Sequence, residues 1–174
     1  LVFEQVLDLG KPVLEEYVQD FFKGRLNSAV ARLNASALKP SMAEAIGYFV
    51  KRFVRELQIN DVPGTSIEHH YKANIKRFVR DKAVRPILGK AFEKDCKQIN
   101  YEQLEHIWTQ LYEVAGWQFP AEEFDWRGIS KEYVYEVKGI IKVNAELRSL
   151  LETDLLEDIA RNTAQLSPGF DVET

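Results

Sequence analysis

Apolar side chains recur at steps of three and four residues through most of this chain of 174 residues. This spacing places them on one face of a helix, where they can be buried together. The clearest stripes are Ile46, Phe49, Val50, Phe53, Val54 and Leu57, and then Ile67, Tyr71, Ile75, Phe78 and Val79. The pattern predicts an all-α fold, a single helical bundle-like domain of about eight helices with short connections.

Residues typical of helix ends divide this pattern into separate helices. Pro40 and Ser41 predict the start of a second long helix, after a first stripe that ends at Leu33. The expected N-caps of later helices are Thr65 or Ser66, Asn100 with Gln103 as a capping box, Asp125 and Asn144. The other helices are expected over residues 1–9, 101–113, 145–152 and 155–166. In the helix 101–113 the side chains expected to point inward are Leu104, Ile107, Trp108 and Leu111.

One segment also fits a strand, because Tyr133, Tyr135, Val137, Ile141 and Val143 alternate with polar or outward positions. We expect a helix here, since the chain offers no second good strand to pair with it. A two-lobed bundle that divides near residue 98 is the alternative to a single helical domain.

The composition excludes several classes of protein. Cys96 is the only cysteine, so an internal disulfide is impossible and a reducing cytoplasm is the expected location. The longest run without a polar side chain covers residues 45–50, whereas a membrane span needs roughly 20 apolar residues. We therefore expect a cytoplasmic domain with no membrane contact.

Charge is unevenly distributed along the chain. Residues 72–100 hold 9 basic and 3 acidic side chains, a net of +6, while residues 101–174 hold 6 basic and 15 acidic, a net of −9. Together with −1 for residues 1–71, these values return the overall net charge of −4. The candidate binding residues in the basic segment are Lys72, Lys76, Arg77, Arg80, Lys82 and Arg85.

Two interpretations of the basic segment stay open. It can be a patch for phosphate groups, whether of nucleic acid, of a nucleotide or of a neighbouring domain. It can equally be a solvated helix face that pairs in part with the acidic final third of the chain, which is the commoner origin of such charge runs.

Residues for catalysis or metal binding are sparse. His69 and His70 are adjacent and point about 100° apart on a helix, so they cannot share a metal as an i, i+4 pair does. Cys96 and His106 match no standard zinc spacing. The chain also lacks G-x-S-x-G and the phosphate-binding G-x-x-x-x-G-K-[ST] sequence. We expect no catalytic residue, no metal ligand and no cofactor.

Residues 108–135 are rich in aromatic side chains, which predominate in cores and in interfaces. A core position is the expected one for most of them. Trp117 and Phe119 lie in a predicted loop and are the expected surface for a partner protein.

Three short segments resemble the helical N-terminal region of bacterial NACHT-type STAND NTPases. One is the stretch Leu155, Glu157, Asp158, Ile159, Arg161, Asn162 and Thr163, which is followed by Ser167-Pro168-Gly169-Phe170-Asp171. The others are the residues from Leu9 to Tyr17 and from Ser66 to Tyr71. Together the three segments cover about a quarter of the chain.

The resemblance implies an all-α accessory domain, residues 1–166, on the N-terminal side of a NACHT module, with residues 167–174 as a linker toward it. In such proteins the NACHT module hydrolyses nucleoside triphosphate and switches oligomeric state. The flanking domains sense a trigger or deliver an output, in signalling or in defence against phage. This chain ends before any P-loop, so no nucleotide site is carried over to it.

We therefore expect a non-enzymatic regulatory or adaptor domain that contacts the NTPase module of the same chain or partner protein domains, with an oligomer possible. The alternative hypothesis is a nucleic-acid-binding helical module that uses the basic segment 72–97. A third hypothesis, an enzyme that uses Glu68, His69 and His70, is disfavoured because no group with a shifted pKa can be identified from sequence.

Overall fold

The computed structural model describes residues 16–17, 28–113, 123–149 and 151, and within these ranges it contains helices and turns but no strand. The α-helices are α1 (Ser28–Ile59), α2 (Gly64–Ser66), α3 (Lys72–Arg80), α4 (Val84–Gly89), α5 (Tyr101–Ile107) and α6 (Trp126–Val143). A π-helical turn, Ile67–Tyr71, joins α2 to α3, and another, Trp108–Tyr112, extends α5. A 3₁₀ turn, Lys90–Phe92, follows α4, and residues 145–149 are also helical.

The all-α prediction is confirmed, but the predicted number of about eight helices is not, since the described residues form six α-helices with defined bounds besides the helical residues 145–149. One reason lies at Pro40, where the expected helix start is instead the interior of α1. Proline removes one backbone hydrogen bond and costs about 3 kcal/mol inside a helix. Leu38 and Met42, on either side of Pro40, are both buried, so packing holds the helix continuous. The helices expected over residues 1–9 and 155–166 lie outside the described residues.

One buried apolar cluster joins the helices, and it contains residues from both sides of position 98. Its centre is aromatic: the Phe53 ring centroid lies 4.9 Å from that of Trp108 and 5.4 Å from that of Trp126. Phe78 meets Trp108 edge-on, with ring centroids 5.4 Å apart. The helix expected over residues 126–141 is confirmed, with Tyr133 at 0% exposure, so the strand alternative is wrong.

Three of the predicted N-caps are confirmed by their hydrogen bonds. The side-chain oxygens of Asn100, Asp125 and Asn144 accept from backbone N–H groups three residues later, at 3.1, 2.9 and 2.9 Å. These bonds satisfy donors at helix starts that have no partner within the helix. They set where α5, α6 and the helix over residues 145–149 begin.

The predicted cap at Thr65 or Ser66 is wrong, because the helix already begins at Gly64 after Pro63. The preceding turn decides this: the Val62 N–H donates to the Leu57 carbonyl and the Asp61 N–H donates to the Gln58 carbonyl. Asp61 has a φ of 63°, the left-handed conformation that ends a helix in a Schellman motif. The turn therefore ends at Pro63, and the next helix, which begins at Gly64, contains both Thr65 and Ser66.

The inward position expected for Leu111 is also wrong, since its side chain is 66% exposed. Leu104, Ile107 and Trp108 are buried as expected. Leu111 lies in the π-helical turn Trp108–Tyr112. Because a π-helix has more residues per turn than an α-helix, its side chains leave the face that the α-helical spacing predicts.

No helix in the described ranges is long and apolar enough to cross a lipid bilayer.

Candidate functional site

The predicted basic residues lie on α3 and on the turn and helix that follow it. Ile75, Phe78 and Val79 point into the core and are completely buried, which turns the positions between them outward. Arg77, Arg80 and Lys82 are exposed, and Lys72, Lys76 and Arg85 are half-buried. The six residues thus lie on α3, on α4 and on the turn between them, with Lys72, Lys76 and Arg80 at four-residue steps along α3.

Two of these six cations are paired with carboxylates. Lys72 Nζ lies 3.2 Å from Glu68 Oε1, one helical turn earlier, and Arg85 Nη1 lies 3.1 Å from Glu16 Oε2. Arg85 Nη1 also donates to the Arg80 carbonyl at 2.7 Å. Both carboxylates precede the basic segment, whereas pairing with the acidic final third of the chain stays a prediction.

The remaining cations have fewer partners. Arg77 donates to the side-chain oxygen of Asn74, its neighbour on α3. Lys76, Arg80 and Lys82 form no ion pair with any residue of the described ranges. These three side chains, and Arg77 with its neutral partner Asn74, can therefore meet a negatively charged group without first leaving a carboxylate.

Tyr112 joins the end of α5 to the basic segment. Its hydroxyl donates to Asp81 Oδ2, and the Asn74 side chain donates to the Tyr112 carbonyl at 2.8 Å. Burial, together with the hydrogen bond to Asp81 and its charge, raises the pKa of Tyr112 to about 12. These contacts fix the turn after α3, where Lys82 lies, against the π-helical turn.

Of the predicted partner surface, Trp117 and Phe119 lie outside the described residues. The core position expected for the other aromatics is confirmed for Trp108, Trp126 and Tyr133. Tyr135 is the exception, because its side chain is 78% exposed on the outer face of α6.

His69 and His70 are exposed and lie on the π-helical turn before α3. Among the described residues no group of three or more His, Cys, Asp or Glu side chains could hold a metal ion. Cys96 is buried, and its Sγ donates to the Gln98 carbonyl at 3.4 Å.

A buried charged network at the contact of α1 with α6 was not predicted from the sequence. Arg52 donates to Glu56 at 2.8 Å and to Glu132 of α6. The other carboxylate oxygen of Glu56 accepts from the Asn60 amide and from the Asp125 N–H, both at 3.3 Å. An i, i+4 pair of Arg and Glu beside an apolar stripe is the signal that could have revealed its first half.

Burial opposes the charge of Arg52, but hydrogen bonds to Glu132 and Glu56 outweigh it, so the pKa of Arg52 is raised. The network links the C-terminal end of α1 to the first turns of α6.

Comparison with known proteins identifies the family. A family profile described as NACHT N-terminal Helical domain 2 matches residues 9–174. The chain belongs to this family. The match confirms the resemblance of the three short segments to the helical N-terminal region of NACHT proteins.

No curated protein and no solved structure matches the chain. NACHT N-terminal helical domain 2 is a helical domain of NACHT proteins and is distinct from the domain that hydrolyses nucleoside triphosphate. The absence of a P-loop from this sequence agrees with that division.

Proposed function

We propose that this domain is a non-enzymatic regulatory or adaptor domain of a multidomain signalling NTPase, which acts in the cytoplasm, in signalling or bacterial defence. It mediates contacts with the NTPase module of the same chain or with partner protein domains. The observation that supports the proposal is the match of residues 9–174 to a family of helical domains of NACHT proteins.

Lys76, Arg80 and Lys82, which form no ion pair within the described ranges, supply a surface for such a contact. Charges at the edge of an interface accelerate association and select among partners more than they add affinity. An acidic surface on the NTPase module, or on a partner, would pair with them. A change of nucleotide state that moves this surface would then change the packing of the helical domain against it.

The test uses the complete NTPase and hydrogen–deuterium exchange with nucleoside triphosphate or diphosphate bound. We expect the exchange of residues 72–85 to differ between the two nucleotide states. The difference should disappear in a variant that carries Lys76→Glu, Arg77→Glu and Arg80→Glu. It should persist in a control with the same charge change at Arg55, Lys94 and Lys142, all of which are exposed.

Equal exchange in both nucleotide states, or loss of the difference in both variants, would contradict the interdomain contact. Nuclease, protease or NTPase activity of the purified helical domain would contradict its non-enzymatic character.

The alternative function is nucleic-acid binding through the same face. The observation that favours it is that Lys76 and Arg80 are one helical turn apart and form no ion pair in the described ranges. Such binding would weaken steeply with salt, with a slope of log K against log salt of roughly −0.7 to −0.9 for each phosphate neutralised. Unchanged affinity for RNA and DNA after reversal of Lys76, Arg77 and Arg80 would remove this alternative.

A further inference from the structure

A cavity of about 130 Å³ lies between the segment that leads into α5 and the first turns of α6. In the same measure a single water needs about 10–15 Å³, so the cavity can hold a small polyatomic ion together with several waters. The polar side chains of its lining are Lys97, Gln98, Tyr101, Arg127, Ser130 and Lys131.

Three of these side chains are cations that come from different parts of the chain. Lys97 precedes α5, whereas Arg127 and Lys131 are one turn apart at the start of α6. None of the residues that line the cavity is acidic, and none of the three cations forms an ion pair within the described ranges. The three cations are exposed to water, and an anion in the cavity would offset the repulsion between their like charges.

The start of α6 is not itself the source of this attraction. Asp125 already caps the helix, because its Oδ1 accepts from the Gly128 N–H at 2.9 Å. The positive charge of the cavity therefore comes from its side chains.

Ser130 provides a second, independent observation. Its side chain is 2% exposed and lines the cavity, and its Oγ has no hydrogen-bond partner among the described residues. A serine inside a helix can return its hydroxyl to the carbonyl four residues earlier, but Ser130 does not. A buried hydroxyl without a hydrogen-bond partner is destabilising. A bound ligand that accepts a hydrogen bond from Ser130 would therefore explain why this hydroxyl is buried.

We infer that this cavity binds the phosphoryl group of a small molecule or of an inorganic phosphate. Arg127 supplies a planar donor that can reach two phosphate oxygens, while Lys97 and Lys131 neutralise the remaining charge. Ser130 lines the same cavity, and its hydroxyl would turn toward the ligand to supply an uncharged donor. A dianion with several acceptor oxygens uses all of these groups, whereas a single carboxylate has only two oxygens to offer.

A neighbouring cleft gives room for the remainder of a phosphorylated ligand. It shares Gln98 and Ile99 with the cavity and is lined further by Ile87 and Lys90. The phosphoryl group would occupy the cavity, and the organic part would lie along these apolar side chains.

The test measures binding of inorganic phosphate, pyrophosphate and ADP to the 174-residue protein by calorimetry, at constant ionic strength. We expect saturable pyrophosphate binding that weakens at least tenfold in a variant with Arg127→Gln and Lys131→Gln. The control Lys142→Gln removes an exposed cation of the same helix that does not line the cavity, so its affinity should stay within twofold. Circular dichroism checks that each variant folds, and Lys97→Gln replaces the double variant if that one does not.

Ser130→Ala separates a binding site from a mere packing defect. Its melting temperature should equal or exceed that of the unchanged protein, because a buried hydroxyl without a partner is removed. Its affinity for pyrophosphate should nevertheless fall about threefold to tenfold. ADP that binds more tightly than pyrophosphate would identify a phosphorylated small molecule as the ligand, and equal affinities would identify the inorganic ion.

The inference is overturned if the affinity is unchanged in the Arg127 and Lys131 variant or in Ser130→Ala. It is equally overturned if pyrophosphate binds no more tightly than sulfate or chloride at the same ionic strength, since that result indicates a general salt effect.

Discussion

Two sets of charged side chains in this domain have contrasting surroundings. Arg52 and Glu56 lie in the contact of α1 with α6, are 9% and 4% exposed, and are hydrogen-bonded to each other and to groups of α6. Lys76, Arg80 and Lys82 lie at the surface of α3 and of the turn after it, without an ion pair in the described ranges. The first set is desolvated and paired, and the second is in contact with water.

This contrast separates charge that holds the fold from charge that is available to a partner. A buried charge must keep its partners, because losing one leaves an uncompensated ion at low dielectric. A surface charge is hydrated, so its removal costs the fold little and its pairing with another protein also costs little. The basic segment, conspicuous in the sequence, is therefore expected to contribute mainly to recognition.

The largest expected effect tests the buried set. Arg52→Ala should lower the free energy of unfolding by about 3 kcal/mol, because Glu56 would remain buried without its cationic partner. Arg55→Ala is the matched control, since Arg55 is exposed on the same helix, and it should change stability by less than about 0.5 kcal/mol. Urea unfolding measures both, and equal losses would remove the distinction between the two sets.

A smaller effect is expected at the polar end of the network. The Asn60 amide donates to the Glu56 carbonyl at 2.9 Å and to the Glu56 side chain and the Glu123 carbonyl, both at 3.3 Å. Asn60→Ala should cost about 1–2 kcal/mol, because it leaves these acceptors with fewer partners. The exposed Gln58 provides the control, and a Gln58→Ala loss as large as that of Asn60→Ala would argue against the network.

Tyr112, which joins the end of α5 to the basic segment, should show a pH-dependent effect. Tyr112→Phe should lower the free energy of unfolding by about 1 kcal/mol near pH 7, because the hydrogen bond to Asp81 is lost. The pKa of Tyr112 is raised to about 12 from the ordinary value of 10.0. Between these values the folded state keeps a proton that the unfolded state has lost, so stability falls as the pH rises.

Tyr112→Phe should not show this loss of stability at alkaline pH. The difference in the free energy of unfolding between this variant and the unchanged protein should therefore shrink between pH 10 and pH 12. Urea unfolding across this range is the measurement. Tyr135→Phe is the control, because Tyr135 is exposed. A difference that stays constant, or that appears equally in Tyr135→Phe, would contradict the role of the Asp81 contact.

The smallest effect is expected at the exposed cations. Replacement of Lys76 and Arg80 by alanine should change the free energy of unfolding by less than about 0.5 kcal/mol, since both are solvated and unpaired with acids in the described ranges. Because the two replacements remove repulsion between neighbouring like charges, the free energy of unfolding of the variant should be slightly higher at low salt than this repulsion would otherwise allow. A loss above about 1 kcal/mol would show that the basic face is part of the stabilising structure.

The local features of the fold were predictable from the sequence to different degrees. Asn100 and Asp125 were correctly expected to be caps, because a cap depends on a residue and the amide three positions later. Leu111 was placed wrongly because a π-helical turn breaks the 3.6-residue period on which the expectation depended. Pro40 was taken as a helix start, although burial of its neighbours Leu38 and Met42 holds it inside α1.

The candidate sites were less predictable than the helices. The six basic residues stand within fourteen positions and were found as a group, but the sequence did not show which of them have carboxylate partners. Arg52 and Glu132 are eighty positions apart, and Lys97 is thirty positions from Arg127. Spacing along a chain contains no information on such pairs.

The sequence by itself determined the helical class, the buried face of most helices and several of their first residues, because each depends on contacts within one or two helical turns. Its short segments also sufficed to indicate the family, which the profile match confirmed. Only the tertiary structure decided which charges are buried and paired, which remain exposed, and which gather with Ser130 around a cavity. Electrostatic energies depend on distance and burial in space, and these are settled when the helices pack.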